Sequence, residues 1–442
     1  MKKYAFFLCF IFLFASVLLP VKASAYTLPA DIDIQSNAVM LASLDTGAVL
    51  FTKNADEKVY PASLTKIMTA VVALRKATNL DEVITVNKED LDSLLGTDSS
   101  LGGLKADEQL PLRVLLNIML VTSGGDAATV VANHFGGGDI SVFVDMMNEQ
   151  AKELKMTGTH FSNPVGLHDP LNYTTVSDMY KLTVFAITLP TFAEMCNQSS
   201  YTVPATNKNP QRKIATTNLM LNPSTTYYYR YINGVKTGYT TEAGRCLIST
   251  ASKDGYNYIC LAMGAPPKDA AGNVIHKEFS DTKSLYKWAF DTFEYKQVVN
   301  KNEPVAEVSV KLAWKTDHLS LFPDKDFSAI IPKSADDSTI IIEPILTKST
   351  VDAPVKSGMV MGFAKIKYSG EEIGRVNIIA TDDVNRNELL YYLQVAKNIV
   401  TSFWFIVGAI IFVLLLILLI IVNIVQNKYR KKMKRVRSRR RI

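Results

Sequence analysis

The sequence predicts a mixed α/β domain of about 265 residues, then a smaller all-β domain, then one C-terminal transmembrane helix. Three observations carry this expectation. Between residues 38 and 292, apolar positions switch repeatedly between strand and helix spacing. After Glu294 the segments become short and β-rich, punctuated by turn residues, with no helical period before Glu388. From Phe403 to Ile424 the chain is almost entirely apolar, and about 20 such residues cross a bilayer. At 442 residues, with 48% hydrophobic and 20% charged, the chain has room for both domains and is not a disordered polymer.

Residues 1–25 read as a secretory signal. Lys2 and Lys3 form a basic start, Phe6 to Leu19 an apolar run, and Ala23-Ser24-Ala25 a small-residue cleavage site, so the mature chain is expected to begin at Tyr26. Val39 to Leu44 and Ala48 to Thr52, joined by Asp45-Thr-Gly47, read as a β-hairpin. Ser63 to Lys76 places Ile67, Ala70, Val71 and Leu74 at helical spacing. Further helical patterns cover Leu112 to Val121, Ala127 to His134, Asp139 to Lys155 and Asp178 to Ile187. Cys246 to Ala251 and Tyr256 to Met263 are short strands about an Asp254-Gly255 turn, and Thr282 to Thr292 returns to helix.

These elements place the α/β domain at 26–293 and the all-β domain at 294–385. Its strands are expected within Val305 to Ala313, Phe327 to Ile331, Thr339 to Ile345, Met359 to Tyr368 and Gly374 to Ala380. Residues 386–402 form a helical connector, 403–425 the transmembrane helix and 426–442 a basic tail. No charge falls between Lys397 and Lys428, whereas residues 428–441 carry ten Lys or Arg and no acid. Short basic flanks of a span stay in the cytoplasm, so the body is expected on the extracytoplasmic side of the cell membrane.

The net charge of +6 is therefore misleading as an average. Setting aside the ten tail cations with Lys2, Lys3 and Lys22 leaves −7 on residues 26–427. An acidic body does not support a basic partner-binding surface, so no nucleic-acid partner is expected. The histidines at 134, 160, 168, 276 and 318 show no metal-ligand spacing, so no metal is expected. Beyond Cys9 in the signal, Cys196, Cys246 and Cys260 remain. Buried free thiols are the expected reading, with a cross-strand Cys246–Cys260 pair as the alternative.

Three constellations carry chemistry. In Tyr60-Pro-Ala-Ser63-Leu-Thr-Lys66, one helical turn sets Ser63 and Lys66 on one face. A serine hydroxyl needs a base to become a nucleophile, and a lysine serves only if burial or another cation lowers its pKa. The spacing alone also describes a capped helix, and it recurs at Ser280/Lys283 and Ser284/Lys287. In Val121-Thr-Ser123-Gly-Gly125-Asp126, two glycines break an apolar helix and present Ser123 as a candidate proton relay, or as part of a plain turn. In Lys236-Thr237-Gly238-Tyr239-Thr240, the chain's only Lys-Thr-Gly, a cation and a hydroxyl suit a carboxylate, and Gly238 admits a substrate backbone.

Taken together and in this order, the three resemble the penicillin-binding serine D-alanyl-D-alanine carboxypeptidases, the low-molecular-mass penicillin-binding proteins. Gly124-Gly-Asp-Ala127, Phe161-Ser-Asn-Pro-Val-Gly-Leu167, Ala243-Gly-Arg-Cys-Leu247 and Phe279-Ser-Asp-Thr282 ahead of Trp288 also look like segments of that family. The likeness covers about residues 30–292, and more loosely the β-rich segment.

The resemblance implies a β-lactamase/transpeptidase-like fold, an antiparallel sheet flanked by helices. It implies Ser63 as nucleophile, Lys66 as general base and Ser123 as relay to the departing D-alanine. Lys236 and Thr237 would hold the substrate carboxylate, and the N–H groups of Ser63 and Tyr239 would form the oxyanion hole. Arg245 and Lys277 are further candidates for that carboxylate. The implied partners are peptidoglycan stem peptides and β-lactam antibiotics, beside the membrane expected from the apolar span, with no cofactor.

One position departs from the pattern. The second motif of the family is Ser-x-Asn, and here Gly125 stands at its third position. This leaves open lower activity, shifted specificity, or compensation by Asp126 or a water. A weak or inactive muropeptide-binding scaffold and a DD-endopeptidase therefore stand as alternatives to a carboxypeptidase. A class A β-lactamase would need a glutamate on a loop between the second and third motifs, and Asn163 to Asp169 offers none.

Overall fold

The structure, a computed structural model, describes residues 26–439. The expected signal at 1–25 lies outside the described residues. The chain forms two compact units, one running to Lys296 and taking in Ala329–Asp337, the other comprising Gln297–Ser328 and the chain from Ser338 onward.

The first unit is built on a five-stranded antiparallel sheet. Its strands are β1 (Ala38–Ser43), β2 (Val49–Lys53), β3 (Ile232–Thr240), β4 (Gly244–Lys253) and β5 (Tyr256–Ala265), in the order β2-β1-β5-β4-β3. All six residues of β1 are buried, because both faces of the sheet are covered. Ala38, Met40 and Ala42 face one core with Ile248, Ile259 and Leu261. Val39 and Leu41 face the other with Leu247 and Tyr258. The β1–β2 turn is the expected one, with Gly47 at φ +72° and Ser43 Oγ accepting from the Asp45 and Thr46 N–H groups.

Most helices pack on the first face: α1 (Thr65–Lys76), α2 (Leu112–Val121), α3 (Gly125–Phe135), α4 (Ile140–Glu153), α5 (Val176–Ile187) and α6 (Pro190–Cys196). Residues 65–73 of α1 are all buried, so this helix is enclosed rather than amphipathic in its first half. On the second face lies α7 (Lys277–Thr292), through Phe279, Leu285, Tyr286, Trp288 and Ala289. This helix begins five residues before the sequence expectation, since its first turn is polar and shows no apolar period. Cys246 and Cys260 belong to opposite faces of the sheet and, like Cys196, are buried free thiols.

The second unit holds a six-stranded sheet of β6 (Ala306–Lys311), β7 (His318–Pro323), β8 (Ile340–Leu346), β9 (Thr350–Asp352), β10 (Val360–Tyr368) and β11 (Glu371–Ala380). Their order is β8-β10-β11-β7-β6-β9, with β6 and β9 parallel. Val308, Val310, Leu319, Leu321, Ala364, Ile366, Val376 and Ile378 supply its core from alternate positions. Helix α8 (Glu388–Val400) has no buried residue. Helix α9 (Phe403–Arg439) contains a 29-residue stretch, Phe403–Lys431, long and apolar enough to cross a membrane, and none of its apolar window is covered by protein.

Candidate active site

Ser63 lies on a short 3-10 turn, Ala62–Leu64, that runs directly into α1. Lys66 is the second residue of that helix. Its Nζ reaches back to donate to Ser63 Oγ at 2.9 Å and to the Val165 carbonyl at 2.7 Å. The ammonium is buried and forms no ion pair among the described residues. Burial, and then the nearby charge of Lys236, hold its pKa well below the usual lysine range, with Asp126 opposing. A lysine whose pKa is lowered in this way can, in its neutral form, accept a proton from the hydroxyl it touches.

The loop carrying Val165 is built to approach this point. Asn163 Oδ1 accepts from the N–H groups of Val165, Gly166 and Leu167 at 3.2, 2.7 and 3.2 Å, winding the segment into a tight turn. Gly166 sits at φ +89°, where a Cβ would lie 1.9 Å from the Ala62 carbonyl oxygen and 3.0 Å from Ser63 N. Only glycine permits that contact. The sequence carries no signal for Val165 and Asn163 as site residues, because a backbone acceptor and the side chain that shapes it leave no trace in composition.

Strand β3 closes the other side. A Cβ on Gly238 would stand 3.2 Å from Ser63 N and 3.1 Å from the Pro61 carbonyl, so this strand runs against the Ser63 turn. Lys236 is buried, donates to the Thr237 carbonyl at 2.9 Å, and is pulled down to about 7 by burial. Thr237 Oγ1 meets Thr217 Oγ1, and Thr217 N–H donates to the Val121 carbonyl at the end of α2. Tyr239 is 49% exposed. Arg245, its cross-strand partner on β4, lays its guanidinium 5.1 Å from the Tyr239 ring centroid, and its Nε is buried without a partner. Lys277 is the first residue of α7.

Ser123 sits in the corner between α2 and α3, buried, with φ +64°. Ala62, beside Ser63, also has positive φ, +46°. Two non-glycine residues of these motifs thus lie in the left-handed region, and such strain concentrates at functional sites. Asp126 does not fill the gap left at position 125. Its carboxylate accepts from the N–H groups of Gly102, Leu104 and Ala127 at 2.8, 3.1 and 2.8 Å, which ties it to the neighbouring loop. Ser280, Lys283, Ser284 and Lys287, the other serine–lysine spacings, all lie along α7 away from this turn.

Comparison with known proteins decides the family. The family profile described as D-alanyl-D-alanine carboxypeptidase matches residues 23–267, more than half of the chain. The chain belongs to the D-alanyl-D-alanine carboxypeptidase family. The profile described as penicillin-binding protein 5, C-terminal domain, matches residues 293–386. Among curated carboxypeptidases of this family, DacF of Bacillus subtilis is 28% identical over 379 residues, covering 84% of this chain and 91% of that protein. A D-alanyl-D-alanine endopeptidase of Pseudomonas aeruginosa is 30% identical over 59% of this chain and 79% of its own. Among solved structures, penicillin-binding protein 5 of Haemophilus influenzae superposes with a TM-score of 0.64 at 27% identity, covering 82% of this chain and 100% of that one. The Streptomyces K15 DD-transpeptidase superposes with a TM-score of 0.54 at 28% identity, covering 60% and 99%. The carboxypeptidase fold thus extends through the β domain, as the sequence resemblance implied.

Proposed function

We propose that the protein removes the terminal D-alanine from peptidoglycan stem pentapeptides through an acyl-enzyme on Ser63, and that penicillins acylate the same residue. The observation that carries this reading is the 2.9 Å contact between Ser63 Oγ and the buried, pKa-depressed Lys66. Ser63 Oγ attacks the carbonyl between the two D-alanines while Lys66 takes its proton. The N–H groups of Ser63 and Tyr239 stabilise the oxyanion. As the C–N bond breaks, the proton passes from Lys66 through Ser123 to the departing amine. Water then cleaves the ester, with Lys66 again as base, and frees Ser63. Lys236 and Thr237 hold the terminal carboxylate, Gly238 lets the substrate backbone close on the strand, and Arg245 adds charge at the rim.

The β domain serves as a stalk, α9 as the anchor, and the basic tail marks the cytoplasmic side, which places the active site outside the membrane. Proteolysis of intact cells should spare the tail, and cleavage of the tail from outside would reverse this topology.

The deciding assay pairs fluorescent-penicillin labelling with D-alanine release from a pentapeptide. Both are expected, and both should vanish in Ser63→Ala. Labelling without D-alanine release, together with cleavage of cross-linked dimers, would move the protein to the endopeptidase reading. Neither labelling nor release would leave a muropeptide-binding scaffold.

A further inference from the structure

Another side chain occupies the space beside Gly125. A Cβ built on Gly125 would lie 2.0 Å from Ser99 Oγ, 3.2 Å from Ser99 Cβ and 3.0 Å from Val165 Cγ1. Non-bonded carbon contacts settle near 3.5–4.0 Å, so a side chain at 125 would require Ser99 to shift from where it stands.

The loop bearing Ser99 is fastened where it stands. Gly125 N–H donates to the Ser100 carbonyl at 2.7 Å. Asp126 accepts from Gly102 and Leu104 on the same loop. Gly124 and Gly102 let it come this close, since a Cβ on either would meet Ile118 Cγ2, at 2.9 and 2.1 Å.

Ser99 Oγ is nevertheless barely engaged. Its bond to the Ser100 carbonyl is 3.4 Å long, at the weak end of the range. The hydroxyl and the Val165 side chain both lie within 3.0 Å of the empty Cβ position, and the Val165 carbonyl is the group that holds Lys66. A peptide bound at this site has amide dipoles in need of partners.

We propose that Ser99 supplies, from the neighbouring loop, the hydrogen-bonding group that Gly125 lacks, and orients the substrate peptide amide against the Ser63–Lys66 pair. This rests on the carboxypeptidase reading above. No bond changes at Ser99, which binds and positions.

The test uses the full chain in detergent: wild type, Ser99→Ala, Ser99→Thr, Gly125→Asn, and the double variant Ser99→Gly with Gly125→Asn. D-Alanine release and penicillin acylation are followed, with melting temperature as the folding control. Ser99→Ala should lose about tenfold in kcat/KM, the factor one net hydrogen bond supplies, at unchanged melting temperature. Ser99→Thr, which keeps the hydroxyl, should stay within about threefold of wild type. Gly125→Asn alone should fall further through its clash, and removing Ser99 in the double variant should recover at least about tenfold of that loss. Unchanged kcat/KM in Ser99→Ala, or a double variant no better than Gly125→Asn, overturns the inference while the carboxypeptidase reading stands. An inactive, unlabelled wild type overturns both.

Discussion

The two units treat polar side chains in opposite ways. In the first, Asp126, Asp178 and Asp281 are buried, and each is anchored by several donors: Asp178 by Gly158 N–H, Thr159 and Lys181, Asp281 by Ser36 through both N–H and hydroxyl. In the second, no polar or charged side chain is buried among the described residues, and Lys367–Glu343, Arg375–Glu372 and Lys356–Asp383 pair at the surface, where such pairs contribute little. Against that background, Lys66 and Lys236 stand out within the first unit. They are as buried as the anchored carboxylates and form no ion pair among the described residues. Burial without a direct ion-pair partner lowers a lysine's pKa and readies it for chemistry. A unit with nothing polar inside has no such group to offer.

Breaking the first unit at its centre should have the largest effect. Ser63→Ala, or Lys66→Met, should cut D-alanine release and penicillin acylation by at least about a thousandfold, read by gel fluorescence and product assay. Substantial labelling of Ser63→Ala would place the nucleophile elsewhere. Next, Ile378→Ala in the β sheet should cost its unit about 2–4 kcal/mol in a denaturant melt, yet leave the penicillin acylation rate unchanged. A slowed acylation would mean that the second unit is not a passive support.

The pH profile sharpens the role of the two lysines. Lys66 acts as a base only when neutral, so kcat/KM should fall about tenfold per pH unit on the acid side. Lys236 holds a carboxylate only when charged, and its pKa of about 7 means that KM should rise above neutrality. Lys236→Met should lose the alkaline limb, and an alkaline limb that persists would assign it to another group. The smallest effect concerns Lys333, whose ammonium donates at 3.0 Å to the Phe290 and Asp291 carbonyls at the end of α7. Lys333→Ala should lower the melting temperature by roughly one to three degrees and leave acylation untouched.

Sequence alone determined much of this protein, because much of it is written in local patterns. The β1–β2 hairpin, the helix after Ser63, the helix at Leu112–Val121 and the apolar span each follow from periodicity and turn chemistry acting over a few residues. The serine–lysine pair was legible too, since one helical turn brings its members together. Other features needed the fold. Nothing local joins Lys333 to α7, or shows that residues 329–337 complete the first unit. The Val165 carbonyl that holds Lys66 comes from 99 residues away. The motif departure at Gly125 was visible, but the side chain that stands beside it was not, because Ser99 reaches it across a different loop. Backbone acceptors, desolvation and steric exclusion depend on which distant segments share a space, and that is decided only when the chain packs.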